Sequence, residues 1–247
     1  MHIIEFCSEV EKIIANQVKG NYPVDWDEDF ITRSILREFR NSFSYVEVDG
    51  LKNTITMAWS AYKLPRPPET KFGDVAILIN IRYQDGDDIE GVGFLEAKKR
   101  DKDKITFSAL KIPQLKRINK NAPHSMLLLY DYEDITKFAN EIIPNKDFYW
   151  FYYAWTPYTY SVVVPSDIFL LTKQKNTTLY KYSLPFSYQL CFRYFSGLDL
   201  EFQEKAIEIA KGYNEKMGAN YLLVISIAHG RMESPIVEFN RNRFTEL

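Results

Sequence analysis

Phe72-Gly73-Asp74-Val75-Ala76-Ile77-Leu78-Ile79 is followed, after a polar turn at Asp85-Gly86-Asp87-Asp88, by Gly93-Phe94-Leu95-Glu96-Ala97-Lys98-Lys99-Arg100. Two apolar runs of strand length around an Asp/Gly turn predict a β-hairpin over 72–99. These strands read as core, yet they carry Asp74, Glu96 and Lys98. A carboxylate buried without a partner is costly and tends to take up a proton. Charges at such positions need either water or a cation.

Side chains alternate along a strand, so Glu96 and Lys98 project from one face and Ala97 from the other. Asp74 comes back to them when the hairpin closes, provided the register is right. Opposing Asp74 to Glu96 requires an even index sum. A two-residue turn at Asp85-Gly86 gives an odd sum and separates the two acids, so an odd-length loop or a bulge must intervene. Mg²⁺ takes oxygen ligands at about 2.1 Å and is usually held by one or two carboxylates plus water and substrate oxygens. Asp74 and Glu96 fit that role, with the Ala97 carbonyl as a third ligand and Mn²⁺ as a substitute ion. Lys98 is then placed to orient water or to neutralise a phosphate transition state. The expected chemistry is phosphodiester hydrolysis. In the competing reading Asp74 caps a turn, and Glu96 pairs with Lys98 or Lys99 on a solvated edge strand.

The remaining chain supplies regular elements on both sides. Ile3, Phe6, Val10, Ile13, Ile14 and Val18 have helical spacing over 1–19, and Gly20-Asn21-Tyr22-Pro23 ends that helix. A second helix is expected from Asp27 or Asp29 to about Ser42, and β structure from Tyr45 to Tyr62. After the hairpin come a helix within 107–120 with Pro113 at its start, a buried strand over 124–130, and strands within 148–164. A lysine-rich loop is expected at 173–178, a helix over 200–216 and a last strand over 221–228. The aromatic run 148–155 offers stacking faces but reads more simply as core.

With 247 residues, 46% of them hydrophobic, one α/β domain over 1–247 accounts for the chain. Cys7 and Cys191 form no ligand motif or disulfide framework, and His2, His124 and His229 are scattered. The start of the sequence lacks a signal-peptide pattern and no apolar run is long enough to span a bilayer, so a cytoplasmic protein with no membrane partner is expected. The net charge of -2 hides a segment, 98–120, with nine basic residues and two acids. Lys99, Arg100, Lys102, Lys104, Lys111, Lys116 and Arg117 in it are candidates for binding a phosphate backbone. No Walker loop, G-x-S-x-G elbow or Cys/His pair is present.

Gly73-Asp74 followed by Glu96-Ala97-Lys98, in the order helix, strand, charged hairpin, helix, strand over about 25–130, resembles the PD-(D/E)XK nuclease superfamily. The chain departs from that pattern in having no proline before Asp74. The resemblance implies a restriction-endonuclease-like α/β fold with a central mixed sheet flanked by helices, and Mg²⁺-dependent cleavage of DNA or, less often, RNA. It also implies supporting roles for Gln114 on the following helix and for an acid of the early helix, Glu28 in preference to Glu38. By analogy, restriction or phage defence would be the setting, with a homodimer or partner protein as company. The alternatives are a non-catalytic nucleic-acid-binding or protein-interaction subunit, and a ribonuclease.

Overall fold

A computed structural model of the chain describes residues 1–50, 53–65, 71–135, 158–230, 233 and 235–247. Helix α1 spans Ile3–Gly20 and α2 Glu28–Phe43. Their starts follow from local chemistry. His2 Nδ1 accepts from Ile4 N–H, and Glu5 accepts from the His2 N–H. Asp27 Oδ1 accepts from the N–H groups of Asp29 and Phe30, capping α2. Strands β1 (Val46–Asp49) and β2 (Thr54–Lys63) follow, then the hairpin β3 (Val75–Arg82) and β4 (Asp88–Lys99). Next come α3 (Ile112–Asn121), β5 (Met126–Tyr130), β6 (Ser161–Pro165) and α4 (Ser166–Thr172). A 3-10 helix at Thr177–Tyr182, β7 (Leu184–Pro185) and short helical turns over 186–196 lead to α5 (Glu204–Ala210), β8 (Tyr221–His229) and β9 (Thr245–Glu246).

Among the described residues these strands form one open mixed sheet in the order β1-β2-β8-β3-β4-β5-β6-β7, with β9 on β2. The β3/β8 and β4/β5 pairs are parallel and the others antiparallel. The fold is therefore α/β with a mixed central sheet between helices, as expected. No described helix is long and apolar enough to cross a membrane.

The two faces bury different sets. Val75, Ile77, Ile79, Ile81, Leu95 and Ala97 pack with Phe6, Ile14, Ile35 and Phe39 of α1 and α2. On the other face Ala76, Leu78, Val92 and Phe94 pack against Ile209 and Ala210 of α5. A further cluster on that face joins Leu115 and Ile118 of α3 to Leu127, Leu129 and Phe169. Each large aliphatic or aromatic side chain buried this way contributes about 1.5–3 kcal/mol.

Four expectations are corrected in detail. Asp88 belongs to β4, so the turn lies earlier than expected. Only Thr177 onward of the lysine-rich stretch is helical, and α4 directly before it was not anticipated. The expected helix over 200–216 is confined to Glu204–Ala210, because Gly212 turns the chain at φ 78°. In the expected β region 148–164 the described strand begins at Ser161; the aromatic run 148–155 lies outside the described residues.

Candidate active site at the splayed end of the hairpin

The hairpin register meets the condition that the site needs. Val75 pairs with Leu95 and Arg82 with Asp88, an even index sum that sets Asp74 opposite Glu96. The odd loop responsible is Gln84-Asp85-Gly86: Tyr83 N–H donates to the Asp87 carbonyl at 2.9 Å, and Gly86 closes the turn at φ 91°.

At the opposite end the two strands part company. Asp74 N–H still donates to the Leu95 carbonyl at 2.8 Å, but β4 runs on to Lys99 paired only with β5. Backbone groups on the vacated side of β4 need other partners. Side chains provide them. Asp74 Oδ2 accepts from Ala97 N–H at 3.0 Å, and Glu28 Oε1 from Lys99 N–H at 3.2 Å. Lys98 Nζ donates to the Ala97 carbonyl at 2.6 Å. Gly73 makes this approach feasible: its φ is 90°, and a Cβ there would sit 2.6 Å from the Leu95 carbonyl oxygen. Proline is locked near φ −65°, which explains physically why none precedes Asp74.

Glu96 and Lys98 share a row with Leu127 and Leu129 of β5, between the two apolar clusters of that face. Glu96 is 1% exposed and Lys98 6%. Since β4 is an interior strand, the solvated-edge reading of the Glu96–Lys98 pair does not hold. Lys98 Nζ lies 2.5 Å from Glu96 Oε1, 3.6 Å from Glu28 Oε2 and 3.8 Å from Asp74 Oδ2. Gln114, in the first turn of α3, donates from Nε2 to the same Glu96 Oε1 at 2.6 Å. Glu96 Oε2 is buried and among the described residues has no hydrogen-bond partner.

Three acids thus surround one ammonium. Burial pushes the Glu96 carboxyl up to about 7, helped by the charge of Asp74 and opposed by Lys98. Burial also raises Asp74 and Glu28, against the pull of Lys98. For Lys98 burial acts downward, but Glu96, Asp74 and Glu28 outweigh it and its pKa is raised. The cluster is short of positive charge.

Glu28, Asp74, Glu96, Ala97, Lys98 and Gln114 are therefore brought together, as the spacing and the resemblance implied. Glu38 lies ten residues along α2 from Glu28, about 15 Å at helical rise, and does not join them. Sequence reasoning missed three neighbours. Asn220 Nδ2 donates to Asp74 Oδ1 at 3.1 Å, and Tyr221 OH donates to Asp29 Oδ1 at 2.6 Å. A cavity of about 180 Å³ is lined by Glu28, Asp29, Asp74, Ala97, Asn220 and Tyr221, among others. Asp29 was visible as a helix-start acid. Asn220 and Tyr221 gave no signal, since only the parallel pairing of Val75 with Tyr221 brings them in.

One candidate for phosphate binding is overturned. Arg100 is 3% exposed, its guanidinium 3.0 Å from Asp131 and 2.9 Å from Glu133, and it lies 4.0 Å over the Tyr132 ring. It belongs to an internal network because its side chain, just past the end of β4, turns inward to Asp131. Lys102, Lys104, Lys111, Lys116 and Arg117 are exposed and Lys99 is half-buried.

Among the described residues no three His, Cys, Asp or Glu side chains form a ready metal cage. Two carboxylates, a strand carbonyl and water make a donor set that suits Mg²⁺ or Mn²⁺. The orphaned Glu96 Oε2 and the excess of acid over base fit such an ion. Comparison of the chain with protein-family models, curated proteins and solved structures gave no significant match.

Proposed function

We propose that the protein is a metal-dependent nuclease of PD-(D/E)XK type that hydrolyses phosphodiester bonds in DNA. The observation that carries this reading is the constellation of half-buried Asp74 with buried Glu96 and Lys98 where the hairpin strands part, with the enclosed Glu96 Oε2 unpartnered among the described residues. Crowding one buried and two half-buried carboxylates around one ammonium opposes folding, and a cofactor or substrate that supplies positive charge offsets that cost.

Asp74, Glu96 and the Ala97 carbonyl would hold Mg²⁺ or Mn²⁺. When bound, such an ion supplies Lewis-acid stabilisation of phosphate charge and a more acidic water. The side chains do the rest. Asn220 and Ala97 N–H fix both oxygens of Asp74, and Gln114 fixes Glu96. Lys98 is the cation at the centre of these acids, and its ammonium has three donors, of which those not held by Glu96 and the Ala97 carbonyl would serve water or the charge that develops at phosphorus. Glu28 restrains both the Lys99 backbone and the Lys98 ammonium.

A second reading has its own observation. Lys98 already satisfies Glu96 Oε1 and the Ala97 carbonyl at 2.5 and 2.6 Å, as in a scaffold that binds nucleic acid without turnover. The deciding experiment offers circular and linear DNA with Mn²⁺ or EDTA, with RNA in parallel and Lys98→Ala as control. Metal-dependent cutting lost in the variant supports the nuclease. Absence of cutting, together with no rise of melting temperature in millimolar Mn²⁺, sinks it and leaves the scaffold.

A further inference from the structure

The lysine-rich stretch after α4 and the basic stretch after β4 are distant in sequence but joined in space. Phe107 N–H donates to the Lys175 carbonyl at 2.7 Å, Thr177 N–H donates to the Ile105 carbonyl at 2.9 Å, and Thr106 bridges to Asn176. This short ladder brings Lys175 to the start of α3. There an open cleft of about 520 Å³ is lined by Lys111, Ile112, Pro113, Gln114, Arg117 and Lys175. Its three cations are exposed, and among the described residues none of them pairs with an acid. By contrast Lys98 and Arg100, from the same basic segment, are consumed internally. Among the described residues no acid lines the cleft. Gln114 joins its wall to the carboxylate site, because its amide donates to Glu96.

Resting on the nuclease reading, the geometry points to this cleft as the subsite for the DNA backbone flanking the scissile phosphate. Lys111, Arg117 and Lys175 bind the phosphates, and Gln114 marks the crossing into the reacting centre. The segment 173–177, outside the part of the chain that carries the resemblance, thereby becomes part of the substrate platform. Phosphate neutralisation releases counterions, so each contact contributes about one to the dependence of log affinity on log salt.

The test is fluorescence anisotropy of a labelled DNA duplex against the full chain in EDTA over a series of KCl concentrations. Lys175→Ala, Arg117→Ala and Lys111→Ala are compared with Arg37→Ala, which removes an exposed charge from α2 on the opposite face of the sheet. The expected result is a salt slope about one unit shallower for each cleft variant, and the wild-type slope for Arg37→Ala. If the wild type cuts DNA with Mn²⁺ but the cleft variants bind like Arg37→Ala, the subsite is wrong and the nuclease stands. If the wild type binds but does not cut, the variant slopes still decide the subsite while the nuclease falls. Binding confined to an RNA duplex would overturn the assignment to DNA.

Discussion

Two buried ion clusters sit side by side on β4 and are built to opposite ends. Glu96 and Lys98 form one. Arg100, just beyond the strand end, forms the other with Asp131 of the chain after β5. Asp131 is fully enclosed, and each oxygen is used: Oδ2 accepts from Arg100 and from Tyr180 OH at 2.6 Å, Oδ1 from Glu133 N–H at 2.8 Å. The Arg100 carbonyl accepts from the Trp26 indole at 2.8 Å, tying the network to the segment before α2. Its carboxylate needs nothing from outside. The Glu96 cluster has three acids to one base, an orphaned oxygen, and an open end where β3 leaves β4. Equal burial therefore carries different meanings. The contrast lies in the carboxylates, since Arg100 Nε is itself buried without a partner among the described residues. Asp131 has both oxygens bonded and acts as a structural strut, whereas Glu96 has one left over beside an excess of acid.

The contrast can be broken most decisively at Asp131. Asp131→Ala removes the fully buried partner of Arg100, leaves it only the partly exposed Glu133, and should cost about 3–5 kcal/mol by urea denaturation. Glu96→Gln should leave stability unchanged or raise it while removing cleavage. Equal losses in both would abolish the distinction. Next in size is Lys98→Ala, for which the rate of metal-dependent DNA cleavage should fall about 10²–10³-fold with the fold retained by circular dichroism. Wild-type turnover in that variant would remove Lys98 from the chemistry.

A smaller effect is expected from pH. With the folded Glu96 carboxyl at about 7 and an ordinary value of 4.5, the folded chain holds more protons than the unfolded chain between those values. Stability in EDTA should therefore decline as pH rises through this window, by about 1–3 kcal/mol, and Glu96→Gln should flatten the profile. Stability that climbs over pH 5–7 equally in both proteins would contradict it. The smallest test removes one hydrogen bond from each acid. Tyr180→Phe should cost about 1 kcal/mol of stability, while Gln114→Ala should cost little stability and slow cleavage several-fold. An unchanged cleavage rate in Gln114→Ala would confine Gln114 to packing.

Much of this was legible in the chain, for local reasons. Helical spacing from Ile3 to Val18 and the acids at Asp27–Asp29 located α1 and α2, and alternation with the Asp-Gly turn located β3 and β4. Asp74, Glu96 and Lys98 stood out because charge interrupts apolar strands. What escaped was short or non-local. The helical turns over 166–196 are too brief to show a period, and two of them begin directly after Pro165 and Pro185. Arg100 looked like part of a basic surface because its partners, Asp131 and Tyr180, lie on later segments.

The sequence by itself determined the longer elements, the carboxylate–lysine spacing and the polarity of the hairpin faces, because these depend on neighbours within a few residues. Only the tertiary structure decided the register that sets Asp74 against Glu96, the choice of Glu28 over Glu38, and the entry of Asn220 beside Asp74. It alone separated the fully bonded Asp131 from the incompletely bonded Glu96, and joined Lys175 to the α3 cleft. Each of those outcomes turns on which strands pair and where they part, and chain connectivity does not encode that locally.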